Sequence, residues 1–256
     1  MGPESRHHRV SPILDAVLTR PLLPIAGTAA AATLLVLLTA CGGGSSSQTA
    51  ADPGTSPSQS ESSSSSTNGD VSCDSPTDPQ AATRKVDPPP STPDVQGKIP
   101  VTIKTSIGTL GATLDADKTP CTVNSFVSLA KQGFFDSSPC HRLTTTGIFV
   151  LQCGDPSGTG TGGPGYTIPD EITGKETYGP GTLAMANTGQ PDTGGSQFFV
   201  VYQDTPLPPT YTVFGQVDAA GVKAVQKMAK QGTDNAYGQG DGHPKVAVTI
   251  DTVTEN

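Results

Sequence analysis

The 256-residue sequence contains no tryptophan and three methionines, and its aromatic residues amount to 5%. The formal net charge is −8, and no basic stripe or aromatic ladder runs through it. Nucleic acid is therefore not an expected partner, because it needs cationic neutralisation and stacking platforms. G-x-x-x-x-G-K-[ST], H-E-x-x-H and C-x-x-C are all missing. Their absence removes the phosphate-cradling loop, the helical zinc site and the dithiol redox motif. The cysteine spacings do not match a zinc site either, so no metal or cofactor is expected. Only His141 and His243 lie beyond residue 97, which leaves little material for imidazole acid–base chemistry.

One long uncharged run is present, LLPIAGTAAAATLLVLLTA at 22–40. Arg6, Arg9 and Arg20 precede it and Cys41 comes directly after it. A basic region, an apolar region and small residues form the order of an export signal. Leu38-Thr39-Ala40-Cys41 resembles a bacterial lipobox, in which the cysteine sulfur takes a diacylglycerol and becomes the mature N-terminus. Residues 1–40 are thus expected to be a lipoprotein signal, with Cys41 the lipidation site. An uncleaved anchor is the bland alternative, since nineteen uncharged residues can span a bilayer. Either way, the chain beyond Cys41 is expected at the cell membrane, on its extracytoplasmic side.

Residues 41–97 read as a disordered tether. Ser, Gly, Thr and Pro dominate, and SSSSS occupies 62–66. Such a composition buries too little apolar surface to offset chain entropy. VDPPPSTPDVQG at 86–97 is expected to be stiffer, with polyproline character. The folded domain is expected over 98–256, long enough for one good core, and as a monomer.

Four cysteines remain besides Cys41, at 73, 121, 140 and 153. In an exported chain they allow two disulfides in three pairings. Cys140 and Cys153 flank an expected hairpin and can sit opposite each other. Cys73 would then clip the tether to Cys121.

The domain is strand-rich. IPVTIKT at 99–105 alternates and turns at Ile107-Gly108 into TLGATL, a hairpin pattern. A helix is expected next, with Thr119 as cap, Pro120 in the first turn and Gly133 at its end. Strands are expected near 139–144, 147–153, 182–186, 197–202 and 212–217. Asp218 caps a second short helix, and 243–255 supplies the last strand, expected beside the first. Eight strands with two helices predict a mostly β fold: a closed barrel capped by the helices, which removes exposed edges.

Three familiar catalytic patterns are weak. Gly158, Gly160 and Gly163 match G-x-G-x-x-G but open no helix, so the nucleotide reading fails its context. Ser196 in GGSQFF lacks the second glycine of a nucleophile elbow. A serine hydrolase using Ser196 with His141 is a remote alternative. Asp155, Asp170 and Glu171 could form a carboxylate pair, but Asp170 and Glu171 are expected to face water.

Taken together, CHRLTTTGIFVLQCGD, the glycine-rich GTGTGGPGY, LAMAN, GSQFF and YTVFGQV carry a stronger pattern. In this order and spacing they resemble the cyclophilin-type peptidyl-prolyl isomerases, over about Ile99 to Thr254. The resemblance implies a closed eight-stranded antiparallel barrel with two capping helices. It implies isomerisation of X-Pro bonds in proline-containing polypeptides, here exported or envelope proteins. It places the catalytic set on Arg142, Phe149 and Gln152. It places substrate contacts on Val150, Ala186, Asn187, Gln197, Phe199, Leu207 and Tyr211. Two departures stand out. The corner between Arg142 and Phe149 is two residues longer than the common pattern, and Pro206 stands where many members carry tryptophan. Both suit an alternative in which the groove binds proline peptides without catalysis.

Overall fold

A computed structural model describes residues 71–78 and 81–256. The expected signal, Cys41 and the serine-rich start of the tether lie outside the described residues. Among the described residues no helix is long and apolar enough to cross a membrane.

Strands β1 (Lys98–Thr105) and β2 (Gly108–Asp115) form the first hairpin. Ile99, Val101 and Ile103 on β1 and Leu110, Ala112 and Leu114 on β2 are buried, so alternation decides which face turns inward. Each large apolar side chain withdrawn from water contributes about 2 kcal/mol. The chain's last strand, β10 (Thr249–Glu255), pairs with β1, Ile103 opposite Val253.

Helix α1 (Pro120–Lys131) buries Val123, Phe126 and Val127. Thr119 precedes it without capping it, because its hydroxyl donates to the Asp115 carbonyl at 3.1 Å. The cap comes from fifty residues away. The Glu171 carboxylate accepts from the N–H groups of Cys121 and Thr122 at 2.9 and 2.8 Å. Glu171 is therefore half-buried with its carboxylate engaged by the helix, not free in water. Burial raises its pKa, against the lowering effect of these bonds. Gly133, at φ +67°, ends the helix. Helix α2 (Ala219–Ala229) opens on Asp218, whose side chain accepts from Gly221 N–H at 2.6 Å.

The other strands are β3 (Ser138–Pro139), β4 (Arg142–Thr144), β5 (Val150–Cys153), β6 (Thr182–Met185), β7 (Phe198–Val201), β8 (Val213–Val217) and β9 (Asp241–Gly242). All pairings are antiparallel, in the order β3-β10-β1-β2-β8-β6-β7-β5-β4-β9. The expected closed eight-stranded barrel is thus corrected to an open sheet of ten strands with β3 and β9 at its ends. Two local features mark the difference. The strand expected at 139–144 divides into β3, paired with β10, and β4, paired with β5 and β9, with Cys140-His141 between them. The short β9, unrecognised in the sequence, adds to the far edge beside β4.

The sheet curls around α1. Phe126 of this helix meets Phe198 on β7 at 5.4 Å and Phe214 on β8 at 5.3 Å, while the same helix packs on β10. Phe134 and Phe135 complete this inner aromatic core.

Much of the segment read as the tether's end lies against this body. Cys73 is bonded to Cys121 on α1, and Cys140 to Cys153. Arg84 donates to the carbonyls of Gly133 and Phe134, Asn124 donates to that of Pro90, and Val95 is buried.

Candidate functional site

The outward face of the sheet carries a row set by register. Arg142 on β4 stands opposite Gln152 on β5, Gln152 opposite Phe199 on β7, and Phe199 opposite Ala184 on β6. Directly paired residues in a sheet share a face and lie side by side. Two residue pairs along, on the same face, Val150 stands opposite Val201. Four strands therefore bring a cation, an amide and an aromatic ring into one line.

Arg142 is half-buried and held from one side. Its Nε and Nη2 donate to the two carboxylate oxygens of Asp241, at 2.8 and 2.7 Å. This two-point geometry fixes the guanidinium plane. The hydrogen bond to Asp241 raises the arginine pKa more than burial lowers it, with smaller contributions from Tyr211 and Tyr237. The rest of its five N–H donors bond no described residue.

The lengthened corner is built into the same support. Gly147, at φ +76°, turns the chain so that Ile148 N–H reaches the Thr146 carbonyl at 2.9 Å. Thr145 N–H donates to the Gly240 carbonyl at 2.7 Å, next to Asp241. Val150 N–H donates to the Thr144 hydroxyl, and the Tyr202 hydroxyl to the Thr144 carbonyl at 2.6 Å. The extra residues pack on the loop that grips Arg142.

An apolar cluster adjoins the row. Val150, Tyr178, Ala184, Phe199 and Val201 are buried in it, with Ile148, Ala186, Leu207, Tyr211 and Val213 packed against them. Tyr211 stands edge-on to the Phe199 ring at 5.4 Å. The Tyr178 hydroxyl donates to the Tyr211 carbonyl and accepts from its N–H, at 3.1 and 3.0 Å. Phe149 is not in this cluster. It packs with the inner core, edge-on to Tyr202 at 6.0 Å. Strand alternation is the reason: no bulge interrupts the pairing of 150–153, so Phe149 and Leu151 face away from Val150 and Gln152. Ile148 sits against the cluster instead.

Gln152 makes no hydrogen bond to Arg142. Its amide donates to Gln197 Oε1 at 2.8 Å, and Gln197 donates to the carbonyls of Gly160 and Gly162 at 3.0 and 2.9 Å. That glycine loop winds around Asp155, which is fully buried. Its carboxylate accepts from the N–H groups of Ser157, Gly160 and Gly162 and from the Ser157 hydroxyl. Burial works to raise the Asp155 pKa, but these bonds hold it below the ordinary value. The adjoining groove of about 340 Å³ is lined in part by Gln152, Gln197, Ala186 and Asn187. Asn187 donates to the Thr210 carbonyl at 2.9 Å and accepts from Gly189 N–H.

Ser196 is buried and donates its hydroxyl to the Gly154 carbonyl at 2.7 Å. His141 is buried with its pKa lowered, chiefly by desolvation, and offers Ser196 no hydrogen bond. The geometry of a nucleophile with its base is not there. Among the described residues no three His, Cys, Asp or Glu side chains converge as metal ligands.

Sequence reasoning missed Asp241, Ile148 and Tyr178. Asp241 lies ninety-nine residues from Arg142, and no local pattern joins the two. For Ile148 a signal was available, because alternation along 148–152 puts it on the side of Val150 and Gln152.

Comparison with known proteins identifies the family. Residues 100–255 match the family described as "Cyclophilin type peptidyl-prolyl cis-trans isomerase/CLD". The chain is 45% identical over 203 residues to the probable peptidyl-prolyl cis-trans isomerase B of Mycobacterium tuberculosis, covering 73% of this chain and 65% of that protein. The Mycobacterium leprae counterpart is 45% identical over 204 residues, covering 73% and 68%. The chain thus spans about two thirds of the length of these mycobacterial relatives. A solved Cryptosporidium parvum cyclophilin-type isomerase superposes with a TM-score of 0.55 at 28% identity, over 62% of this chain and 98% of that one. A second structure of it, in the presence of the dipeptide Ala-Pro, gives 0.54. With its family motifs matched along 100–255, the chain belongs to the cyclophilin-type peptidyl-prolyl cis-trans isomerases.

Proposed function

We propose that the protein catalyses cis–trans isomerisation of X-Pro bonds in exported or envelope polypeptides. The observation that carries this reading is the row of Arg142, Gln152 and Phe199 beside the cluster of Val150, Leu207 and Tyr211. The reaction must cross a barrier of about 18–20 kcal/mol, set by partial double-bond character in the imide. No bond breaks, so no nucleophile, metal or cofactor is called for. The apolar cluster holds the proline ring while the preceding carbonyl turns. Arg142 donates toward the imide nitrogen, whose lone pair becomes available only in the twisted state. Preferential binding of that state lowers the barrier. Asp241 fixes the arginine in advance, so little reorganisation accompanies the reaction. Gln152 and Gln197 shape the groove beside it, and Ala186 and Asn187 border the substrate backbone. Phe149 acts through packing of the strand that carries Val150.

The setting proposed is a lipid-anchored monomer on the extracytoplasmic face of the membrane, attached through Cys41. The order of residues 1–41 supports this, and two disulfides suit an oxidising compartment.

A protease-coupled assay of an Ala-Pro peptide with the full chain tests the reading. Acceleration of the slow phase is expected. Peptide binding without acceleration would instead identify a proline-binding module.

A further inference from the structure

The glycine run at 158–165 has a second neighbour besides Asp155. Residues 73–78 and 81–83 lie along it as an added strap. Thr77 bridges Tyr166, and Ala82 bridges Gly163. Asp78 N–H donates to the Gly165 carbonyl at 2.8 Å, Thr167 N–H to that of Pro76 at 3.0 Å, and Thr83 N–H to that of Gly163 at 3.0 Å. A Cβ at Gly162 would collide with the Thr83 methyl and the Asp155 carboxylate, so only glycine lets the strap and the loop approach. The Cys73–Cys121 disulfide clips the strap's start to α1. This segment is thus part of the folded body, although its composition reads as tether.

Its position gives it a role. The groove of about 340 Å³ has Gln152, Gln197, Ala186 and Asn187 on one side, and Asp78 and Ala81 of the strap also line it. Asp78 is the single charged residue among the described residues lining that groove. Its carboxylate makes no hydrogen bond or ion pair with any described residue, and the residue is half-buried. The remaining lining is neutral, mainly glycines, threonines and amides.

We infer that the disulfide-clipped strap is a wall of the substrate groove, and that Asp78 selects proline-containing polypeptides with a lysine or arginine close to the proline. The inference rests on the isomerase reading for the position of the proline itself. Charge complementarity fixes the class of ligand: a cation entering this groove meets one unpaired carboxylate and no positive charge among the described residues lining it.

The test uses the full oxidised chain and fluorescein-labelled peptides that differ only in Lys, Ala or Glu at the positions flanking Pro. Affinity is read by fluorescence polarisation, and kcat/KM is read in parallel. The wild type should bind the Lys peptide about threefold to fivefold more tightly than the Glu peptide at low salt, the range expected for a partly exposed ion pair. Asp78→Asn should bring that ratio to about one, and Asp78→Lys should invert it. Raising the salt should shrink the wild-type ratio. Equal affinity of the wild type for all three peptides would overturn the inference, as would a ratio unchanged in Asp78→Asn. Lys-selective binding without any rate enhancement would sustain the strap's role and sink the isomerase reading, so the two can fail separately.

Discussion

Arg142 presents Nε and Nη2 to the two carboxylate oxygens of Asp241, at 2.8 and 2.7 Å. The bond ties β4 to the edge strand β9, and it decides which part of the guanidinium is left for a substrate. A long, flexible side chain is thereby set to one orientation before anything binds.

Asp241 should therefore behave as a positioning residue. Asp241→Asn is expected to lower kcat by about tenfold, equivalent to ~1.4 kcal/mol of barrier, with little change in peptide affinity. Asp241→Glu keeps both carboxylate oxygens and should recover part of the loss. Steady-state kinetics on an Ala-Pro peptide separates kcat from KM. Equal loss in both variants, together with lowered stability, would mark a purely structural role.

Ile148 and Phe149 should have separable effects. Ile148 packs against the outer cluster and Phe149 against Tyr202 of the inner core. Ile148→Ala is expected to raise KM several-fold with stability nearly intact. Phe149→Ala should cost about 3 kcal/mol of stability while the folded fraction keeps its KM. Urea denaturation beside kinetics checks both.

Asp155 should make the protein acid-sensitive. Its folded pKa lies below the ordinary 3.8, so its contribution is fully present above that pH and is lost as pH falls through the lower, folded value. Asp155→Asn should cost about 2 kcal/mol at pH 7, the range for charged hydrogen bonds. The gap between variant and wild type should narrow below the ordinary carboxylate pKa. Denaturant midpoints at neutral and strongly acid pH give the comparison.

The two disulfides should differ in what they protect. Cys140 and Cys153 close a separation of 13 residues inside the sheet. Replacing both with serine should lower global stability by about 3 kcal/mol by loop entropy. Cys73 and Cys121 close a separation of 48 residues that includes the strap. Their replacement should mainly open the strap to proteases, with cleavage between 74 and 97, while the sheet stays folded. Limited proteolysis with mass spectrometry distinguishes the two patterns.

How much of the fold was legible in the sequence depends on how local each cause is. The hairpin over 99–114 was readable because alternation and a tight turn lie within sixteen residues. The Asp218 cap was readable for the same reason, since donor and acceptor are three residues apart. Motif order placed Arg142, Gln152 and Phe199, and register aligned them. The parts that were not legible depend on distant partners. Glu171 replaces Thr119 as the cap of α1 from fifty residues away. Asp241 reaches Arg142 only because β9 pairs with β4. The strap holds by backbone bonds to a glycine loop, which proline- and serine-rich composition does not reveal. The closed barrel failed at Cys140-His141, where the strand expected at 139–144 divides between the two ends of the sheet.

The central claim is that Arg142 lowers the barrier by donating to the imide nitrogen. The most direct measurement is the isomerisation rate of an Ala-Pro peptide with the wild type and with Arg142→Ala, each shown folded by circular dichroism. The account predicts a loss of kcat/KM of at least about tenfold, or ~1.4 kcal/mol. A folded Arg142→Ala variant that keeps the full rate would contradict it.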